Sequence, residues 1–128
     1  MPRRILVVDD EASIADLIRA ILEDEGYVVA VARDGARGMA MAREWHPDLI
    51  LMDVQLPQVD GGTAIRRLKG EPATGAIPIV AMSAGRNLLE RTGDLDQADG
   101  ALAKPFDVDA LLAQVAFHLS RRSVTTED

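Results

Sequence analysis

A repeated change of hydrophobic period constrains this chain more than any other feature. Residues 5–8, "ILVV", are apolar without interruption, and from Glu11 onward Ile14, Leu17, Ile18, Ile21 and Leu22 recur at helical spacing until Gly26. A segment apolar at every position suits a strand buried on both faces, whereas apolar residues at i, i+3 and i+4 suit a helix with one covered side. The alternation continues with a strand over Tyr27–Ala32, a helix over Gly35–Trp45 and a strand over Leu49–Met52. A short helix over Thr63–Lys69, with Ile65 and Leu68 inward, precedes a strand over Ile77–Met82. Asn87–Gln97 is a weaker helical segment, because Gly93 costs about 1 kcal/mol in a helix interior. Ala101–Ala103 is a minimal strand, and Asp107 is a good N-cap for a closing helix marked by Val108, Leu111, Leu112, Val115 and Leu119.

Five strands alternating with five helices predict an α/β domain of three layers, a parallel sheet with helices on both faces. The chain has 128 residues, 48% of them hydrophobic, which gives room for one real core and no second domain. It contains no cysteine, which excludes a disulfide framework and a thiolate metal site, and no apolar run approaches the length of a membrane span. The opening stretch "MPRRILVVDDEAS" turns acidic too early for a signal peptide, so a soluble cytoplasmic protein with no membrane partner is expected. A net charge of −7 argues against nucleic acid as a partner, since the basic clusters are short: Arg3 with Arg4, Arg66 to Lys69, and Arg121 with Arg122.

In an open parallel sheet, ligands bind beyond the carboxyl ends of the strands, where the strand order reverses. The conspicuous polar residues fall at those ends: Asp9 and Asp10 after the first strand, Asp53 after the third, Ser83 after the fourth, and Lys104-Pro105 after the fifth. Taken alone, Asp10 or Glu11 reads as the N-cap of the next helix. Taken together, the strand ends point to one site. Carboxylates 4 Å apart repel by about 4 kcal/mol per pair at an effective dielectric of 20, so three of them call for a divalent cation. Oxygen ligands without His or Cys favour Mg²⁺, which keeps several waters and binds through one or two carboxylates plus a phosphate. Lys104 supplies a second cation there and Ser83 a hydroxyl.

The segments "ILVVDDE", "DLILMDVQLPQVDGG", "IPIVAMSA" and "LAKPFD", in that order, resemble the receiver domain of bacterial two-component response regulators over roughly residues 4 to 120. The resemblance implies a flavodoxin-like, CheY-like sheet of strand order 2-1-3-4-5, with residues 1–122 as a single receiver domain and 123–128 as a polar tail. It also implies phosphorylation of Asp53 by a histidine kinase or histidine phosphotransfer protein, with Asp53 as the nucleophile that becomes an acyl phosphate. By the same resemblance, Asp10 and Asp53 ligate Mg²⁺, Asp9 holds a metal-bound water, and the backbone carbonyl of Gln55 completes the protein ligands. Lys104 pairs with the phosphoryl group and Ser83 turns inward to hydrogen-bond it. Gln55 and Gly85 occupy the cleft positions that tune the access of water. The apolar strand ending in Asp53 then makes sense, since the strand fixes the carboxylate while the metal and Lys104 offset its charge.

Two positions depart from the family pattern. Three residues before the lysine, where receivers usually carry Tyr or Phe, stands Ala101, so the usual aromatic switch is absent. The fourth helical segment is interrupted by Gly93 and lies on the face most receivers use for output, and also for dimers, so a homodimer stays open. Three functions follow. A stand-alone receiver would signal to a downstream protein through phosphorylation-dependent contacts, with only self-phosphorylation and self-dephosphorylation chemistry, and the complete Asp, Asp, Asp, Ser, Lys group favours it. A pseudo-receiver adaptor would keep the fold without phosphorylation, with Ala101 as its support. An aspartate-nucleophile phosphatase of the haloacid dehalogenase type would need Asp two positions after Asp9, where Glu11 stands. His46 and His118 are isolated and read as structural, and Trp45 reads as a cover for the core edge.

Overall fold

A computed structural model of the chain describes residues 2–56, 61–84 and 98–127. Along it run β1 (Arg4–Val8), α1 (Ala12–Asp24), β2 (Val28–Ala32), α2 (Gly35–Trp45), β3 (Leu49–Asp53), α3 (Gly61–Gly70), β4 (Ile79–Ala84), β5 (Gly100–Lys104) and α4 (Val108–Glu127). The five strands form one sheet in the order β2-β1-β3-β4-β5, and every neighbouring pair is parallel. This is the doubly wound order expected above. The helical segment expected over Asn87–Gln97 lies outside the described residues, as does Gly85.

The continuous apolar runs form the middle of the sheet, as complete burial on both faces requires. Ile5 to Val8 and Leu49 to Met52 are all fully buried, and the two-residue period of a strand sends them alternately to opposite sides. Leu6, Val8, Ile50 and Met52 pack with Met39 and Ala42 of α2 and with Ala64, Ile65 and Leu68 of α3. Ile5, Val7, Leu49 and Leu51 pack with Ile18 and Leu22 of α1 and with Leu111 and Val115 of α4. The sheet thus separates two hydrophobic clusters.

Helix ends follow local chemistry. The Asp34 carboxylate caps α2 by accepting the Arg37 N–H at 2.7 Å, and Asp107 caps α4 through the Ala110 N–H at 2.7 Å. Gly26, with φ of +95°, carries the chain out of α1 in a conformation that side chains avoid. The end of α2 uses His46 at φ +53° instead, a left-handed position without a glycine to announce it. The polar stretch from residue 123, expected as a tail, continues α4 as far as Glu127. Neither Gly nor Pro occurs between Val108 and Glu127, so nothing in the backbone stops the helix. At the amino-terminal edge of the sheet, Lys69 donates to the carbonyls of Gly75 and Ile77 and pairs with Asp99 at 2.6 Å, while Asp99 also accepts the Ile79 N–H. These bonds tie the starts of β4 and β5 to the end of α3.

Leu51→Ala, in the middle of the sheet, should lower unfolding free energy by about 2–5 kcal/mol in urea titrations, through lost burial and a residual cavity. Leu17→Ala, on the 55%-exposed side of α1, should change it by less than about 0.5 kcal/mol.

Candidate functional site

Parallel pairing brings the carboxyl ends of β1, β3, β4 and β5 side by side. Val8 pairs with Met52, so Asp9 and Asp53, each the next residue, emerge from neighbouring strands. Asp53 in turn pairs with Met82, and Ser83 and Ala84 with Ala103 and Lys104. Sequence positions far apart, Asp9 and Lys104 among them, thereby reach one edge.

The Lys104 ammonium donates to Asp9 Oδ2 at 3.0 Å and to Asp53 Oδ2 at 3.2 Å. Asp9 is fully buried, and its other oxygen accepts the Glu11 N–H at 3.0 Å, so both of its carboxylate oxygens are engaged. Glu11 stands at the N-cap position of α1 but makes no side-chain cap bond, so the plain N-cap reading of these acidic residues fails and Asp9 holds the turn instead. Asp53 is 4% exposed, and its Oδ1 accepts the N–H of the exposed Gln55 at 2.9 Å. Asp10 is exposed at the mouth of the site. Oxygens of Asp9, Asp10 and Asp53 lie within 4.8 Å of one another, a spacing that a cation could bridge.

Two further features point to a ligand. Ser83 is buried and its hydroxyl has no hydrogen-bond partner among the described residues. An unsatisfied buried hydroxyl costs about 1–3 kcal/mol, so this one fits a group that arrives from outside. Gly61, at the start of α3, leaves no space for a side chain: a Cβ there would overlap the Asp53 carbonyl and the Val54 Cα. The Gly61 N–H donates to the Val54 carbonyl at 3.2 Å, so the returning chain braces the backbone that carries Asp53. No local pattern in the sequence signals this contact.

Burial is the largest influence on Asp53 and raises its pKa above the ordinary 3.8; the Asp9 charge acts the same way, while the Gln55 N–H and Lys104 oppose both. For Lys104, burial pulls downward, but the hydrogen bond to Asp9 and the charges of Asp53 and Asp9 outweigh it and raise the pKa. The directions are compatible: the pair attracts, as the 3.2 Å contact shows, yet desolvation still dominates for the more deeply enclosed carboxylate.

The remaining singled-out residues lie elsewhere. Ala101 sits in β5 opposite Ala81 and is exposed. Trp45 packs half-buried against the core at the end of α2, beneath the Arg4 guanidinium. His118 is buried on α4 close to Gly100, and His46 closes α2. Among the described residues, no helix is long and apolar enough to cross a membrane.

Fold and site together define a doubly wound α/β domain that gathers carboxylates and one lysine beyond its strand ends. Residues 5–116 match the response regulator receiver domain family, and the chain belongs to it. It is 43% identical over 122 residues to the DNA-binding dual master transcriptional regulator RpaA of Synechocystis, covering 94% of this chain and 50% of that protein. The chain spans about half the length of the curated relatives it matches. Among solved structures it is similar to a CheY-like receiver domain protein from Methanospirillum hungatei, with 26% identity, a TM-score of 0.90, and coverage of 98% of this chain and 99% of that one. A chemotaxis response regulator of Vibrio cholerae is 28% identical, with a TM-score of 0.85 over 92% of this chain and 99% of that one. Domains of this family are signalling phosphoacceptors that generally bind Mg²⁺ in an acidic pocket, and Asp9, Asp10 and Asp53 form such a pocket here.

Because Asp53 ionises less readily in the fold than in the open chain, its charge destabilises the protein. That penalty is absent well below pH 3.8, grows as pH rises from 3.8 to the raised folded-state value, and is complete above it. Asp53→Asn should therefore melt at a higher temperature than the parent at pH 7 in metal-free buffer. The gap between the two melting curves should narrow as the pH is lowered through that window.

Proposed function

We propose that the chain accepts a phosphoryl group on Asp53 from the phosphohistidine of a histidine kinase or histidine phosphotransfer protein. The observation that carries this reading is the Lys104 ammonium held at 3.0 Å from Asp9 and 3.2 Å from Asp53, beside a Ser83 hydroxyl that has no partner among the described residues. A carboxylate oxygen of Asp53 attacks phosphorus, the P–O bond forms as the P–N bond to the donor imidazole breaks, and the released imidazole takes up a proton. Lys104 then exchanges its bond to Asp53 for one to a phosphoryl oxygen while Asp9 keeps it in place. Ser83 turns its hydroxyl to the same group, which satisfies the orphaned atom and draws β4 inward.

The donor set fits Mg²⁺: oxygen atoms only, one exposed carboxylate, and room for water at the mouth. Asp10, Asp53 and the backbone carbonyl of Gln55, with Asp9 through a water, would hold the ion, which when bound offsets charge on the phosphoryl oxygens. Asp9 suits an indirect role because it is fully buried, whereas Asp53 keeps some exposure beside the open carboxylate of Asp10. That complete burial argues against Asp9 as the nucleophile of a phosphatase. Output would pass to a downstream protein through contacts that change with phosphorylation. The chemotaxis regulator matched over 99% of its own length supports a receiver acting by itself, and the relatives matched over half of theirs support one joined to an effector.

Intact-mass measurement after incubation with Mg²⁺ and acetyl phosphate should show the gain of one phosphoryl group, lost in Asp53→Asn and in chelator. No gain with either acetyl phosphate or candidate kinases would favour the adaptor reading. Ser83→Ala should still be phosphorylated, but with smaller phosphorylation-dependent amide shifts across β4 and β5 in NMR spectra; shifts as large as in the parent would remove Ser83 from the response.

A further inference from the structure

The opposite edge of the sheet carries a surface that the phosphoacceptor site does not use. β2 ends the sheet, and among the described residues its outer side meets no strand. The Val28 N–H donates to the Arg3 carbonyl at 2.9 Å and the Ala32 carbonyl accepts the Asp9 N–H at 3.0 Å, so residues 28, 30 and 32 turn their backbone groups toward β1. By the alternation of a strand, Val29 and Val31 present N–H and C=O to the open edge. The strand reads Val-Val-Ala-Val-Ala, without the charge, proline or bulge with which proteins guard an edge.

Beside it runs a groove of about 410 Å³ lined by Ala30, Arg37, Met41, Glu44 and Trp45. The four α2 residues lie at i, i+4, i+7 and i+8, one stripe of the helix along the β2 edge. Its charges are opposite and sit at its two ends, with Met41 between them. Neither Arg37 nor Glu44 makes an ion pair among the described residues.

We propose that this edge is a homodimer interface, in which β2 of a second copy adds antiparallel to β2 and makes one continuous sheet. A two-fold axis normal to the sheet, midway between Ala30 and the second copy's Ala30, places Val29 opposite the second copy's Val31, where each pair exchanges both backbone hydrogen bonds. The same axis runs the two α2 helices antiparallel on one face. Arg37 then meets the second copy's Glu44 at both ends of the stripe, and Met41 meets its own copy at the centre. Strand and helix thus agree on one axis, which favours a second copy over an unrelated strand. The Arg4 guanidinium, 5.5 Å from the centre of the Trp45 ring, holds that ring as a wall of the groove.

The test is sedimentation velocity of the full chain from micromolar to millimolar concentration, in chelator and without phosphodonor, with Trp45 fluorescence in parallel. Trp45 is the single tryptophan, so its emission should shift to the blue as the dimer forms. Arg37→Glu alone and Glu44→Arg alone put like charges across the axis, and each should raise the dissociation constant roughly tenfold or more with circular dichroism unchanged. An equimolar mixture of the two variants should associate again, because both of its crossings join opposite charges. A monomer at every concentration, a dimer indifferent to both reversals, or a mixture no tighter than the separate variants would overturn the proposal.

Discussion

The site turns on one ammonium group. Lys104 sits between Asp9 and Asp53, and without it two enclosed carboxylates would face each other with only backbone N–H groups to steady them. Its reach depends on strand order: the carboxyl ends of β1 and β5 are separated by β3 and β4, and a long flexible side chain crosses that gap. Asp9 is held from its other side by the Glu11 N–H and Asp53 by the Gln55 N–H, so each carboxylate is fixed between a backbone donor and the ammonium. The Ser83 hydroxyl is buried beside this cluster and has no hydrogen-bond partner among the described residues.

Strands buried on both faces were the most legible elements, because an uninterrupted apolar run has few other uses. β1 and β3 lie where "ILVV" and "LILM" place them, each lengthened by one residue, Arg4 and Asp53. α2 runs over the expected Gly35–Trp45. The far end of α4 was not legible, since hydrophobic period was the helical signal and the sequence SVTTE over 123–127 carries none. His46 gave no warning of its left-handed turn, because glycine or asparagine is the usual signal there.

For the site, residue types were legible and bonding was not. Five strand-end residues could be gathered by topology alone, and the structure brings Asp9, Asp10, Asp53 and Lys104 together with Ser83 nearby in register. That Asp9 uses both oxygens while Asp10 stays exposed depends on the path of the turn into α1, which no spacing encodes. The brace of Gly61 against the Asp53 carbonyl is likewise a contact across a loop, visible only once the backbone closes on itself.

The division of the interior by the sheet has its own consequence. Among the described residues, the α2 and α3 cluster and the α1 and α4 cluster lie on opposite sides of the strands, which offer alternate side chains to each. A change in volume on one side can be accommodated there without a matching change on the other, and substitutions across the sheet should be nearly additive. The two flanks of the molecule are therefore free to diverge at different rates. One can be remodelled for new company while the carboxyl edge between them keeps its chemistry.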